Sequence, residues 1–269
     1  MAQINEKLRA ALPKVTIEVS DGTLIPGKGD KTLFTAWRIA FFGAIATLIA
    51  LPLLKPDPFK DIILFIPDGV ITTFEVTFLA IFFSLIVGLL TGLGRISRIR
   101  PVNMIATVYV EVVRGIPLLV QLFYIYYALA KFVKVPDITA AIIGMTICYG
   151  AYIGEIFRAG ILSVPKGQME AALALGLSRS QAIRKVVLPQ TVKIILPPLG
   201  NEFIALLKDS SLVSILAVAD LLRRGREFAS TSFDYFEAYT VVALVYLIIT
   251  LFLSRIIGII EERMKTNAR

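Results

Sequence analysis

The chain has 269 residues, of which 57% are hydrophobic and 18% charged, with a net charge of +8. Mean hydropathy is +0.78, whereas soluble domains hold about 45–50% apolar and about 25% charged residues, so an ordinary soluble fold is excluded and an integral membrane protein is expected. Histidine is absent and Cys148 is the one cysteine, which leaves no disulfide framework, no cysteine-rich metal site and no histidine base; no metal ligand set is expected.

Met1 to Thr35 read as a polar arm with turn-forming Asp21-Gly22 and Pro26-Gly27. No apolar core follows a basic start there, so no cleavable signal peptide is expected. Apolar runs then reach the roughly 20 residues a helix needs to cross a bilayer. A first span is expected over 36–54, closed by Pro52 and the helix-hostile Lys55-Pro56-Asp57-Pro58. A second runs from Gly69 to about Leu93, and a third from Pro101 to about Ala130, proline suiting a first helical turn. A fourth spans Ile138 to Leu162. The fifth starts near Gln190 and is expected to break at Pro197-Pro198 and again at Lys208-Asp209-Ser210-Ser211. Phe236 to Ile260 is the last. The fold class is therefore all-α, a polytopic membrane protein with six transmembrane helices.

Lysine and arginine in short loops set orientation. Arg95, Arg98 and Arg100 fall on the same side as Lys166, Arg179, Arg184 and Lys185, as do the N-terminal arm and Arg263, Lys265 and Arg269 at the C-terminus. Both termini are expected in the cytoplasm, with Arg223, Arg224 and Arg226 as an exception on the far side. Basic loops account for the net charge, and nucleic acid is not an expected partner.

Between the fourth and fifth spans lies a polar interruption over 163–189. Lys166 to Leu175 are good helix formers, Gly176 supplies a left-handed stop, and Ser178-Arg179-Ser180-Gln181 is a capping box opening a second helix that ends at Leu188-Pro189. A thin helix rich in alanine at Ala171, Ala172 and Ala174 fits closely into a groove on a partner protein. A helix-turn-helix has the same layout, but confinement between membrane spans argues against DNA. No Gly-x-x-x-x-Gly-Lys-Ser/Thr phosphate loop occurs, so if ATP is used, another chain must hydrolyse it.

Ionisable groups inside spans are functional candidates because they are costly to insert. Glu202 lies roughly 18 Å into its span, beside Asn201, and Glu111 about 15 Å into its own. Glu111 with Arg114, and Glu155 with Arg158, have pairing distance along a helix, which makes structural pairs or subunit contacts the alternative to a role in the path. Gln121 and Glu75 face the outer half. Glu202, with Asn201, Glu111, Gln121 and Glu155, is the candidate polar lining of a substrate path.

Glu170-Ala171-Ala172, Gly176 and Ile183…Leu188-Pro189 resemble the "EAA" loop of permease subunits of bacterial ABC importers. Three further stretches, Glu111 to Leu122, Gly150 to Arg158 and Gly200 to Leu212, look like the polar amino-acid uptake branch of that family, the histidine/glutamine permease type. The resemblance covers about 69–263 and implies a five-helix type I importer core, to which the arm 1–35 and the span 36–54 are additions. It further implies that Lys166, Glu170, Ala171, Ala172, Gly176 and Leu177 belong to a coupling helix docked on cytoplasmic ATPase subunits. ATP and magnesium would bind those subunits, with no cofactor in this chain. A second permease subunit and an extracytoplasmic amino-acid-binding protein complete the implied assembly in the bacterial inner membrane, surrounded by lipid. An ion-coupled secondary transporter using Glu202 and Glu111 is the alternative reading, and a membrane enzyme is disfavoured because no nucleophile–base cluster is apparent.

Overall fold

The computed structural model describes residues 35–128, 131–132 and 135–266, all helix or connecting turns with no strand among them. Nearly all of the N-terminal arm and the expected end of the third span at Ala130 lie outside the described residues. In an apolar solvent every backbone N–H and C=O must be satisfied within its own segment, which is why long apolar runs become helices.

Helix α1 (Ala36–Leu54) is capped by the Thr35 side chain, which accepts from Arg38 N. Lys55-Pro56-Asp57-Pro58 ends α1 as expected, yet Pro56 then occupies the first turn of a short helix, α2 (Pro56–Phe65), between the first two expected spans. α3 (Pro67–Arg95) follows. α4 (Arg100–Gly115) and α5 (Leu118–Phe123), the latter continued by a π-helical turn to Ala128, replace the expected unbroken third span. α6 (Asp137–Ser163) is the central helix. Two short helices follow: α7 (Lys166–Ala174), and α8 (Arg179–Ala182) with a π-helical turn over Ile183–Val187.

α9 (Leu188–Asp209) corrects two expectations. Leu188-Pro189 does not end the preceding helix, because Pro189 falls in the first turn of α9, where its missing N–H costs nothing. Pro197-Pro198 sit inside the helix without interrupting it, and a 3-10 turn over Ser210–Leu216 takes up the end at Asp209. α10 (Leu221–Ser232) and α11 (Tyr235–Thr266) complete the chain.

Among the described residues, four helical stretches are long and apolar enough to cross a membrane: α1, α2–α3 together, α6 and α11; the bent pair α4–α5 makes a fifth. α9 falls outside this set.

Glycine lets α3 and α6 approach at backbone distance. A methyl group added at Gly92 would lie 2.7 Å from both the Gly154 carbonyl oxygen and Phe157 Cβ, and one at Gly150 would lie 2.6 Å from Val87 Cγ1. Lipid is as apolar as leucine, so helices associate in it through such close packing rather than through hydrophobic burial. Around this seam Val76, Ala80, Leu122, Met145, Ile153 and Leu206 form one buried cluster. A second cluster joins α2, α10 and α11 through Phe59, Ile62, Leu221 and Val242.

The arginine cluster lies on a helix, and two of its members, Arg223 and Arg224, are ion-paired. Arg223 Nε bonds Glu227 at 2.7 Å, and Arg224 reaches Glu227 at 2.9 Å and Asp68 at 2.5 Å. Asp220 caps α10 by accepting from Arg223 N at 2.9 Å; burial pushes its carboxyl up to about 6 against those N–H bonds. The Arg223 hydrogen bond holds Glu227 below the usual carboxylate range.

Gly92→Val should cost about 1–3 kcal/mol, because the methyls meet backbone and Phe157 Cβ rather than a flexible side-chain tip. A melting curve in detergent measures it, with Gly43→Ala, where nothing lies within 4 Å, expected to stay near the native midpoint.

Candidate functional site

The third span breaks because Pro117 has no N–H and biases the residue before it away from the helix. Ile116 (φ −110°, ψ 128°) and Pro117 (φ −57°, ψ 139°) are extended, and α5 leaves α4 at 103°. Such a break inside an apolar region leaves carbonyls without partners. Gln121 answers it: its buried amide Nε2 donates to Val113 O and Ile116 O, both at 2.8 Å.

On one side of the bend lies a cavity of about 510 Å³. Arg114 and the Gly115-Ile116-Pro117 backbone form one wall, Cys148, Tyr149 and Tyr152 of α6 another, and Glu202, Ala205 and Asp209 of α9 the third. The Arg114 guanidinium stacks over the Tyr152 ring, 5.0 Å from its centroid. The Tyr149 hydroxyl donates to Asp209 Oδ2 at 2.8 Å. One guanidinium therefore shares a partly enclosed space with two carboxylates, an arrangement able to hold a small molecule bearing both charges.

The residues singled out from the sequence separate into three places. Glu202 lines the cavity, while its neighbour Asn201 is exposed and outside the lining. Gln121 is 7% exposed and serves the backbone at the break. Glu111 and Glu155 belong to an ion-pair cluster that includes Arg95, which reaches Glu155 at 2.5 Å and Glu111 at 3.6 Å. Glu155 also pairs with Arg158 as expected, Nε to Oε1 at 2.9 Å. The expected Glu111–Arg114 pair is corrected: Glu111, 71% exposed, turns to Arg95, and Arg114 turns to Tyr152. Arg114, Tyr149, Tyr152 and Asp209 went unrecognised as one site. For Asp209 a signal existed, since Glu202, Ala205 and Asp209 recur at helical spacing on one face.

The polar interruption forms the knob that its spacing describes. Gly176 is left-handed at φ +83°, and Leu177 N donates to Ala172 O at 3.2 Å across the stop. Ser178 and Gln181 make the reciprocal capping box, at 2.9 and 3.3 Å. Ala172 is 4% exposed and anchors α7 inward. Lys166, Glu170, Ala171 and Gly176 are exposed, Leu177 is half-buried, and Leu175 is 85% exposed at the tip. A charged face with a projecting leucine suits a protein partner.

An all-helical membrane protein with a polar cavity at a helix break and an ordered knob outside it is a transport subunit. Residues 80–266 match the family described as the binding-protein-dependent transport system inner membrane component, and the chain belongs to that family. It is 43% identical over 201 residues to the glutamine transport system permease protein GlnP of Escherichia coli (strain K12), covering 74% of this chain and 92% of that one. Similarity to the L-cystine transport system permease protein TcyB of Bacillus subtilis (strain 168) is 41% over 198 residues, covering 73% and 85%. A crystal structure of an amino acid ABC transporter with histidines superposes with a TM-score of 0.72 at 41% identity, over 79% of this chain and 97% of that one. The inward-facing MetNI methionine ABC transporter, at 22% identity and a TM-score of 0.62, shares the fold. Family membership favours the importer over the ion-coupled alternative.

Gln121→Leu leaves the Ile116 carbonyl without the Gln121 donor and Val113 O with only the long 3.4 Å bond from Ile116 N, each loss worth about 1–3 kcal/mol. A fall in thermal midpoint larger than that of Asn201→Leu is the expected result.

Proposed function

We propose that this chain is the membrane subunit of an ATP-driven importer of polar amino acids. The observation that carries the substrate class is the cavity, where Arg114 stands opposite Glu202 and Asp209. A free amino acid bears one carboxylate and one ammonium, and it matches those charges in a space of about 510 Å³. The glutamine and cystine permeases it is similar to support the same class.

In this reading the chain crosses the inner membrane six times, α9 supplying the span that apolar length alone does not identify. Residues 36–54 are an added span, 69–263 the transporter core and 163–189 the coupling loop, with the arm 1–35 and both termini in the cytoplasm. α7 docks through Lys166, Glu170, Ala171, Gly176 and Leu177 in a cleft of a separate ATPase subunit, which binds ATP and magnesium and performs the hydrolysis. Ala172 holds α7 to its own chain. A second permease subunit, identical or closely related, completes the path, since one set of helices is too few to enclose it, and an extracytoplasmic binding protein delivers the amino acid. Closure of the ATPases on nucleotide moves α7 and turns the path outward.

Pull-down of the native chain from its membrane should recover ATPase activity, and Glu170→Lys should reduce that recovery, or the coupled transport, at least ten-fold; absence of any ATPase even after crosslinking would overturn the reading. In proteoliposomes Glu202→Gln should raise the half-saturating amino-acid concentration about ten-fold, the loss of one charged hydrogen bond, with ATPase recovery unchanged. Unaltered affinity and selectivity would remove Glu202 from the path.

A further inference from the structure

α1 and α11 lie antiparallel and touch at both ends. At one end the Lys55 ammonium meets Glu237 Oε1 at 3.1 Å. At the other, Trp37 Nε1 donates to Leu251 O at 3.0 Å, and the Arg255 guanidinium lies over the Trp37 ring, 5.9 Å from its centroid. Eighteen positions separate Trp37 from Lys55, and eighteen separate Glu237 from Arg255. At helical rise both intervals are about 27 Å, close to the roughly 30 Å of a bilayer's hydrocarbon core. The two contacts are therefore spaced as the two edges of a hydrocarbon core would be, a spacing that lets the Arg255 side chain reach the headgroup level.

The ends differ in how their cation is answered. Lys55 has a carboxylate. Arg255 has no hydrogen bond or ion pair among the described residues; its recorded partner is the indole face. A ring face 5.9 Å away engages the guanidinium's charge without taking up any of its N–H donors, which stay available. Those donors match two phosphate oxygens. Phe252 and Ile259, one turn to either side of Arg255 on the same face of α11, are exposed apolar side chains, positioned to lie along acyl chains.

We propose that the α1–α11 seam is a binding site for one anionic phospholipid, its phosphate held by Arg255 against Trp37. Zwitterionic lipids bring an ammonium group beside the phosphate and so compete less well for the same donors. Any arginine at a membrane boundary can snorkel to some phosphate; an adjoining indole face, 5.9 Å from the guanidinium, and the exposed Phe252 and Ile259 beside it localise this one. The site also gives α1 a bearing on transport. Ile257 of α11 fills the space over Gly200 of α9, two positions before Glu202, so a lipid that braces Arg255 braces the helix behind the cavity wall.

Trp37 is the single tryptophan of the chain, so its fluorescence reports this position alone. The full chain is placed in phosphatidylcholine nanodiscs containing a fixed fraction of lipid with brominated acyl chains, either phosphatidylglycerol or phosphatidylcholine. Brominated phosphatidylglycerol should quench Trp37 as if enriched about five-fold, the attraction expected of one basic side chain at the surface. Arg255→Gln should equalise the two lipids, while Lys55→Gln, at the opposite end of the seam, should keep the preference. Equal quenching by both lipids in the native chain would overturn the proposal, as would a preference that survives Arg255→Gln or is lost in Lys55→Gln. Loss of the preference on adding millimolar inorganic phosphate at constant ionic strength would assign the site to a soluble anion and overturn it equally.

Discussion

The close approach of α3 and α6 is the constraint on which the rest of this structure hangs. Where Gly92 meets the backbone of Gly154, and Gly150 meets Val87, side-chain volume is absent and the two helices lie against each other directly. The same helix accepts Leu122 of α5 over Gly144 and Ile195 of α9 over Gly160. α6 is thus in contact with every element that lines the cavity, and its position fixes theirs. Within a membrane this matters more than in water, since no hydrophobic gain separates a buried leucine from one facing lipid.

That arrangement links the cavity to the knob by short covalent paths. α6 carries Tyr149 and Tyr152, ends at Ser163, and reaches α7 after Val164-Pro165. α9 carries Glu202 and Asp209 and begins directly where the turn after α8 ends. Leu188-Pro189 continues the helix from the knob toward the carboxylate wall. α7 is thus joined to one wall through α6 and to the other through α9, a connection that the proposed coupling to a separate ATPase would use.

Pro117 has a different effect from the prolines of α9, and the difference is one of hydrogen bonding. At Ile116-Pro117 the chain turns sharply and Gln121 takes the two carbonyls that the break exposes. At Pro197-Pro198 the helix carries on to Asp209. A break survives in apolar surroundings where protein groups or a lined cavity satisfy the freed backbone; Gln121 and the cavity do so at the first site.

Apolar run length and the period of 3.6 determined the all-helical membrane class, the positions of α1, α3, α6 and α11, and the knob down to Gly176 and the Ser178–Gln181 capping box, because each of those depends on residues within one or two turns. The helices α2 and α10 were not assigned, although Asp220 caps α10 and Glu227 pairs with Arg223 and Arg224 within a turn; both are short and pack on α11. Nor was the cavity. Glu202 announced itself as a lone carboxylate in an apolar run, but its companions Arg114, Tyr149 and Tyr152 lie on other helices, and Arg114 was assigned to its nearest neighbour in sequence, Glu111. Which acid an arginine meets is decided by where helices cross, here by the glycine seam that brings Arg95 to Glu111 and Glu155 and leaves Arg114 to face Tyr152. Local sequence sets the elements; contacts between residues distant in the chain set the site.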